Sequence, residues 1–243
     1  MGIFLAGAGP DYDAFPEVFE HFVQALPRRQ GNVRPARVAL VVHSRAGNPE
    51  EVIADYVRPL QKLISCEVVP VLLRAGKPGD PAVFGRADGI VVGGGLTPAY
   101  LEGLRPCGGA IAARVADGAP YLGFSAGAMI TPARGIAGGY RVKGVEVCGE
   151  ECSEDLDEVD VRAGLGLVPF AVDVHAAQAG TLSRALGAVA AGLVDRAVAV
   201  DENTAVFLPD GGAADFDVIG SGNCWDIRRT GDGCSVSVRQ AST

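Results

Sequence analysis

Short runs of apolar residues alternate with helix-forming segments through the first half of the chain. The runs are apolar on consecutive residues, which is typical of strands covered on both faces of a sheet. They lie at 2–6, 37–43, 66–73, 88–92 and 120–123, and helical spacing recurs at 15–26, 49–64, 97–104 and 108–116. This alternation predicts an α/β fold: a doubly wound, mostly parallel sheet flanked by helices, with ligands at the carboxyl ends of its strands.

The second half of the chain continues this pattern and then changes character. Further strands are predicted at 140–147, 164–174 and 196–200, with an amphipathic helix at 181–192. From 205 to 238, short strands alternate with turn residues, as at 210–212 and 232–233, which predicts a C-terminal antiparallel β extension. No linker or repeat interrupts the sequence, so we expect one domain over 1–243.

The composition narrows the class of protein. The 243 residues are 48% hydrophobic, and the formal net charge of −8 argues against nucleic acid or an anionic membrane as partner. We expect a cytoplasmic protein, because no signal peptide or membrane-spanning run is seen. The six cysteines form no Cys-x-x-Cys pair and are expected to be reduced thiols. Neither a metal nor a cofactor is expected, and a homodimer stays open.

The run at 120–123 leads into Gly-Phe-Ser-Ala-Gly at 123–127, which continues into small, helix-compatible residues. Glycine and alanine give the small side chains that a sharp strand-to-helix turn needs. Such a turn presents a serine hydroxyl at the carboxyl edge of a sheet, and the N–H of the next residue faces a carbonyl oxygen. Ser125 is therefore a candidate nucleophile, and Ala126 is a candidate oxyanion donor.

A serine is a poor nucleophile at neutral pH, so Ser125 needs a neighbouring base. Among the three histidines, His21 lies off the apolar stripe of a helix, whereas His43 and His175 each end a predicted strand. Strand ends carry the sites of parallel sheets, so both are candidates. We favour His175 and keep His43 as its competitor.

A carboxylate must also fix the histidine tautomer and stabilise the imidazolium. Asp173 shares the strand face of His175, and Asp201 and Glu202 follow the next strand with side chains on opposite sides. All three are candidates for the acid. We expect the hydroxyl, imidazole and carboxylate to meet at one edge of the sheet. The order serine, histidine, acid fits poorly with α/β-hydrolases, whose histidine comes last.

A set of segments between about residues 88 and 206 carries a family resemblance, in the family's own order. They are 93–97 (Gly-Gly-Gly-Leu-Thr), 123–128 (Gly-Phe-Ser-Ala-Gly-Ala), 164–169 (Gly-Leu-Gly-Leu-Val-Pro), Asp173 with His175, Arg184, and 201–205 (Asp-Glu-Asn-Thr-Ala). In these segments the chain resembles the dipeptidase E and cyanophycinase family of serine peptidases. The resemblance implies a class I glutamine amidotransferase-like fold.

The resemblance also implies roles for individual residues. Ser125 would be the nucleophile and His175 the base. The oxyanion hole would consist of the backbone N–H groups of Gly94 and Ala126. The residues with implied substrate contacts are Gly95, Thr97, Asp173 and Arg184.

The chain departs from both branches of this family. The dipeptidase E branch has an aspartate where this chain has Tyr140, so the cyanophycinase-like acid, Glu202, is preferred. Cyanophycinases have a glutamine before the histidine and several arginines after it. Here Val174 precedes the histidine, and of those arginines only Arg184 is present. A β-aspartyl-arginine pocket is therefore not indicated.

The leading hypothesis is a serine peptidase that hydrolyses short peptides or isopeptides through a Ser-His-Glu triad. One alternative is a catalytically inactive amidotransferase-like domain that binds a small molecule or a partner. Another is a hydrolase of other amides or esters that uses the same triad. The acidic segment 149–160 has two interpretations, either a solvated loop or a negative wall that attracts a cationic substrate.

Overall fold

The computed structural model describes residues 2–27, 34–209, 214–231 and 233–241. The predicted turn at 210–212 and residue 232 lie outside the described residues. The strands are β1 (Ile3–Ala6), β2 (Ala36–Val42), β3 (Cys66–Leu72), β4 (Gly89–Val92), β5 (Tyr121–Phe124), β6 (Arg134–Gly138), β7 (Arg141–Val142), β8 (Val145–Glu146), β9 (Asp160–Ala163), β10 (Ala171–Val174), β11 (Arg196–Val200), β12 (Thr204–Leu208), β13 (Asp217–Gly220), β14 (Asn223–Thr230) and β15 (Gly233–Gln240). The α-helices are α1 (Glu17–Ala25), α2 (Ile53–Leu63), α3 (Thr97–Leu104), α4 (Gly108–Ala116), α5 (Ala126–Met129) and α6 (Leu182–Ala190).

The central sheet has seven strands within the described ranges, in the order β13-β12-β1-β5-β4-β2-β3. Strands β1, β5, β4, β2 and β3 run parallel to one another, and β12 and β13 are added antiparallel at one edge. The predicted mostly parallel sheet is therefore confirmed. Its parallel strands place the ends of β2, β4 and β5 at one edge, beside which the candidate site lies.

Helices cover both faces of this sheet. On one face Phe19 of α1 and Leu60 of α2 pack against Phe4 and Phe124. On the other face α3, α4 and α5 pack against alternate residues of the same strands, such as Ile3. Each parallel strand therefore has apolar side chains on both sides, which explains why its sequence reads as a continuous apolar run.

A second sheet carries part of the site. It has the order β10-β11-β14-β15, with β10 parallel to β11 and the last two strands antiparallel. The predicted antiparallel C-terminal extension is confirmed, with β13 joining the central sheet and β14 and β15 the second. The strand that precedes His175 thus belongs to a different sheet from the strand that precedes Ser125. The expectation of a single sheet edge is wrong in this respect, because an apolar run does not reveal its pairing partner.

The segment between β6 and α6 is less regular than predicted. Residues 140–147 form two short strands, β7 and β8, which reverse at Lys143 (φ 52°) and Gly144 (φ 77°) rather than one continuous strand. Of the predicted run at 164–174, only β10 pairs as a strand. None of the helices in the described parts of the chain combines the length and apolar character needed to cross a membrane.

Candidate active site

Ser125 occupies a sharp turn between β5 and α5, with φ 49° and ψ −111°. This is a strained conformation for a residue with a side chain, of the kind that persists where the surroundings enforce it. The surroundings here are tight. A Cβ at Gly123 would overlap the carbonyl oxygen of Gly127, and a Cβ at Gly127 would overlap that of Val92. Both glycines of the motif are therefore required by close backbone packing.

The turn leaves the N–H of Ala126 at the start of α5. The carbonyl of Ser125 accepts from the N–H groups of Ala128 (2.8 Å) and Met129 (3.0 Å), which closes the first turn of the helix. Amides at the start of a helix have no intrahelical acceptor. No hydrogen bond of the Ala126 N–H is found among the described residues, so this group can donate to an acceptor beside Ser125.

His175 follows β10 and also has a positive φ, 57°. Its backbone N–H donates to the carbonyl of Gly7 (3.0 Å), and the Gly7 N–H donates to the carbonyl of Thr204 in the central sheet (2.9 Å). Gly7 thereby joins the two sheets at the site. The ring Nε2 of His175 lies 3.1 Å from the Oγ of Ser125. This is the hydrogen-bond distance that a serine and its base require.

Glu202 lies in the short connection between β11 and β12, where the chain passes from the second sheet to the central one. Its Oε1 lies 2.7 Å from the Nδ1 of His175. The backbone N–H of Glu202 donates to the side-chain oxygen of Gln178 (2.9 Å), which steadies the connection. With Nδ1–H donating to Glu202, Nε2 is left as the acceptor for the Ser125 hydroxyl.

Asp201 is adjacent to Glu202 but has different surroundings. Its buried carboxylate accepts from the N–H of Ala177 (3.0 Å), the indole N–H of Trp225 (3.2 Å), and both the backbone N–H (2.9 Å) and the side-chain amide (2.8 Å) of Asn223. All of these are donors from loops and strands of the second sheet. Asp201 therefore holds strands and loops of this sheet together, and within the described residues no hydrogen bond or ion pair joins it to His175.

Asp173 and Arg184 form a buried ion pair with each other. Both side chains are buried, and two N–H groups of Arg184 donate to the two carboxylate oxygens of Asp173 (2.8 and 2.6 Å). A third nitrogen, Nη1, donates to the carbonyls of Gly139 and Cys152. Burial alone would lower the pKa of Arg184, but the facing Asp173 raises it above its usual value. Arg184 also lines the cavity of Ser125, so a role of this pair in contacting substrate stays a prediction.

The Gly93–Gly95 loop, which follows β4, lies beside Ser125. A Cβ at Gly94 would lie 3.3 Å from the Cβ of Ser125. The Gly94 N–H, an expected oxyanion donor, instead donates to the hydroxyl of Tyr56 (2.8 Å). Gly95 lines the same cavity as Ser125 and His175. Within the described residues, no hydrogen bond is found for its N–H.

Thr97 also has contacts within the protein. It is the first residue of α3 and is buried, and its hydroxyl lies 3.6 Å from the sulfur of Met129. Its N–H donates to Glu154 of the acidic segment (3.0 Å), and Arg45 lies 3.6 Å from the same carboxylate. Burial raises the pKa of Glu154. Glu154 is therefore held against the site, whereas Asp155 and Asp157 of the same segment are exposed.

The cavity that contains Ser125 is small, at about 240 Å³, and is lined in part by His175, Gly95, Glu154 and Arg184. A more open groove of about 700 Å³ lies on the other side of His175, where Glu202 and the loop after β1 line it. His175 thus borders both spaces. His43, the competing base, lies against Tyr100 instead, and burial, with the Arg45 charge, lowers its pKa.

Two kinds of contact were not foreseen from the sequence. Gly7 directly follows the first apolar run, and a Cβ there would overlap the carbonyl oxygen of Asp201. That clash was not visible without the neighbouring strand. Tyr56 and Tyr100 occupy apolar helix positions, where nothing in the spacing separates a functional hydroxyl from a core side chain.

The fold and the serine turn are those of an α/β serine hydrolase. A model of peptidase family S51 matches residues 4–215. The chain therefore belongs to this family and is a serine-type peptidase, which confirms the resemblance drawn from the sequence. No curated protein matches the chain.

Solved structures share the fold at low sequence identity. A peptidase from an acI-B1 Actinobacterium has 17% identity and a TM-score of 0.69, over 100% of this chain and 95% of that one. A candidate peptidase E protein from Listeria monocytogenes EGD-e has 16% identity and a TM-score of 0.57, over 91% of this chain and 98% of that one. At such identities the likeness supports the α/β architecture.

Proposed function

We propose that this serine peptidase hydrolyses short peptides or isopeptides with Ser125 as nucleophile, His175 as base and Glu202 as the acid of the triad. The observation that carries the proposal is the unbroken line of contacts, 3.1 Å from Oγ to Nε2 and 2.7 Å from Nδ1 to the carboxylate. Asp173 and Asp201 make no such contact with His175, because other donors surround both carboxylates.

The reaction follows from these positions. Ser125 attacks the scissile carbonyl while His175 takes the hydroxyl proton, and Glu202 stabilises the imidazolium that forms. His175 then gives this proton to the leaving amine, and the acyl chain stays on Ser125 as an ester. Water attacks the ester, with His175 again as base, and the carboxylic acid and free serine are regenerated.

The charge on the tetrahedral intermediate requires donors beside Ser125. We assign one to the Ala126 N–H, which has no intrahelical acceptor, and the other to the loop of Gly94 and Gly95. Within that loop Gly95 is better supported than Gly94, because it lines the cavity of Ser125 while the Gly94 N–H donates to Tyr56.

The two spaces around His175 support a division of the substrate. The acyl part would occupy the cavity of about 240 Å³ and the leaving amine the more open groove beside Glu202. Ligand sites for drug-sized molecules are usually about 300–1,000 Å³. The smaller cavity therefore favours a short acyl part, which is why short peptides are proposed.

The test compares wild type with Ser125→Ala on a panel of dipeptides, β-linked isodipeptides and 4-nitrophenyl acetate. We expect at least one peptide to be cleaved and kcat to fall by about 10³-fold or more in the variant, since triad residues act as a unit. Ser237→Ala is the matched control, because Ser237 is exposed on β15.

Labelling with a fluorophosphonate separates the alternatives. Stoichiometric modification of Ser125 with ester turnover but no peptide cleavage would indicate a hydrolase of other substrates. An unlabelled Ser125 in folded protein would indicate an inert pocket. Retained peptide cleavage in a clean Ser125→Ala preparation would refute the assigned nucleophile.

A further inference from the structure

Two buried tyrosines bind the two successive peptide groups that meet at Gly94, beside the nucleophile. The N–H of Gly94 donates to the hydroxyl of Tyr56 (2.8 Å), and the hydroxyl of Tyr100 donates to the carbonyl of Gly94 (3.0 Å). The Tyr100 oxygen in turn accepts from the backbone N–H of His43 at the end of β2 (3.0 Å). Both polar groups of Gly94 are therefore occupied by side chains.

These tyrosines approach the loop from opposite faces of the central sheet. Tyr56, on α2, belongs to the apolar cluster of one face, and Tyr100, on α3, to the cluster of the other. Burial raises the pKa of Tyr56 to about 12 and that of Tyr100 well above its usual value. Both hydroxyls therefore stay neutral at any working pH and keep their hydrogen bonds.

The glycines of the loop leave room for the two tyrosine hydroxyls. A Cβ at Gly93 would lie 2.7 Å from the Tyr56 hydroxyl oxygen and 3.3 Å from that of Tyr100, so a larger residue there would displace the hydroxyls. Gly95 has a φ of 148°, which an L side chain rarely adopts, and a Cβ there would lie 3.3 Å from the ring of His43. The backbone path from Gly93 to Gly95 is thus fixed from several sides.

We propose that Tyr56 and Tyr100 are positioning residues for the oxyanion hole. They hold the N–H and the carbonyl of Gly94 so that the Gly95 N–H faces the cavity of Ser125. This inference rests on the proposed function. Donors that stabilise a developing charge act because they are fixed before the reaction begins. With Gly94 held at both its N–H and its carbonyl, the following amide loses the rotation that would turn it away.

A core role alone does not account for both hydroxyls. Phenylalanine would fill these apolar sites equally well, and the described hydrogen bonds of the Tyr56 and Tyr100 hydroxyls go to Gly94 and to the His43 backbone. Both hydroxyls thus bind the loop after β4, and that of Tyr100 also binds the end of β2. That is the edge of the sheet where Ser125 lies.

The variants Tyr56→Phe and Tyr100→Phe remove one hydroxyl each and keep the rings. Tyr140→Phe is the matched control, because Tyr140 is also buried but lies outside the loop. Two readouts depend on the oxyanion donors: the second-order rate of Ser125 labelling by a fluorophosphonate, and kcat for 4-nitrophenyl acetate. The folded fraction of each variant is measured by circular dichroism, so that every rate is expressed per folded molecule.

We expect both rates to fall about 10-fold or more in each loop variant, with KM nearly unchanged, since misplacing an oxyanion donor affects mainly the transition state. The control is expected to keep both rates within twofold. Rates per folded molecule that stay within twofold of wild type in both loop variants would overturn the proposal. A fall in total activity that is fully explained by a smaller folded fraction would also overturn the proposal. A failure of the proposed function is distinguishable from this result, because it would appear as an active Ser125→Ala variant or as a wild-type Ser125 that the fluorophosphonate does not label.

Discussion

The choice of Glu202 over Asp201 as the triad acid gives opposite predictions for two neighbouring carboxylates. Glu202 contacts His175 Nδ1 at 2.7 Å and is 41% exposed, whereas Asp201 is buried and, among the residues that the structure describes, accepts from donors of the second sheet. The matched changes are Glu202→Gln and Asp201→Asn. Each removes one charge and keeps the shape of the side chain, so a comparison separates catalysis from stability.

For Glu202→Gln the effect should be on kcat. Replacing a buried triad aspartate by asparagine in chymotrypsin-like enzymes costs about 10⁴-fold in kcat. Here water reaches the carboxylate and can stabilise part of the imidazolium charge, so we expect a smaller loss of about 10²- to 10³-fold. Stability should change little, since the carboxylate has its main described contact with His175.

For Asp201→Asn the effect should be on stability. One oxygen of Asp201 accepts two N–H groups of Asn223, and the other accepts from Ala177 and Trp225. An amide NH₂ at either position would face two donors and leave them unpaired. At about 1–3 kcal/mol for each of the two unsatisfied donors, the free energy of unfolding should fall by about 2–6 kcal/mol.

The assay measures kcat per active site, titrated with a fluorophosphonate, together with urea unfolding of each variant. We expect kcat of folded Asp201→Asn to stay within tenfold of wild type, while Glu202→Gln falls well below it. A folded Asp201→Asn protein with the larger loss of kcat would contradict the assignment. So would a Glu202→Gln enzyme with nearly full activity.

Three further predictions concern packing and charge. Arg184→Ala leaves Asp173 as a buried unpaired charge, so urea unfolding should show a loss of about 3–5 kcal/mol. Gly127→Ala should prevent soluble folding because its Cβ would meet backbone, whereas Gly109→Ala on α4 has open space and should be neutral or stabilising by about 0.5–1 kcal/mol. Although burial alone would raise the pKa of Asp226, two arginines lower it. Its stabilising contribution is therefore present above the ordinary carboxyl pKa and lost as pH falls through the lowered one, so the unfolding free energies of Asp226→Asn and wild type should differ at pH 7 and converge in acid.

Local sequence signals were enough to find the elements of the site. Gly123 and Gly127 are needed because backbone meets backbone on either side of Ser125, and that requirement is visible as the Gly-x-Ser-x-Gly pattern. The strand ends at His43 and His175 followed from apolar runs alone. The sequence could therefore name two candidate bases, but only the three-dimensional packing brings one of them to within 3.1 Å of Ser125.

Features that depend on distant pairing were beyond the sequence. The ion pair of Asp173 and Arg184 joins residues eleven positions apart that each look like a polar group at a site. Their mutual burial is decided by the packing of α6 on the second sheet. Likewise, a tyrosine on the buried stripe of α2 reads as core, and its contact with Gly94 depends on how that helix lies over β4.

The two distances of the site are set by different parts of the fold. Glu202 and His175 both leave strands of the second sheet, whose parallel pair β10 and β11 fixes their relation. The distance from His175 to Ser125 instead crosses between sheets, and it is bridged by Gly7, which hydrogen-bonds to His175 on one side and Thr204 on the other. Because a Cβ at Gly7 would overlap the Asp201 carbonyl, no larger residue can hold this bridge at its present spacing. The loop after β1 is therefore as much a part of the site's geometry as the serine turn itself.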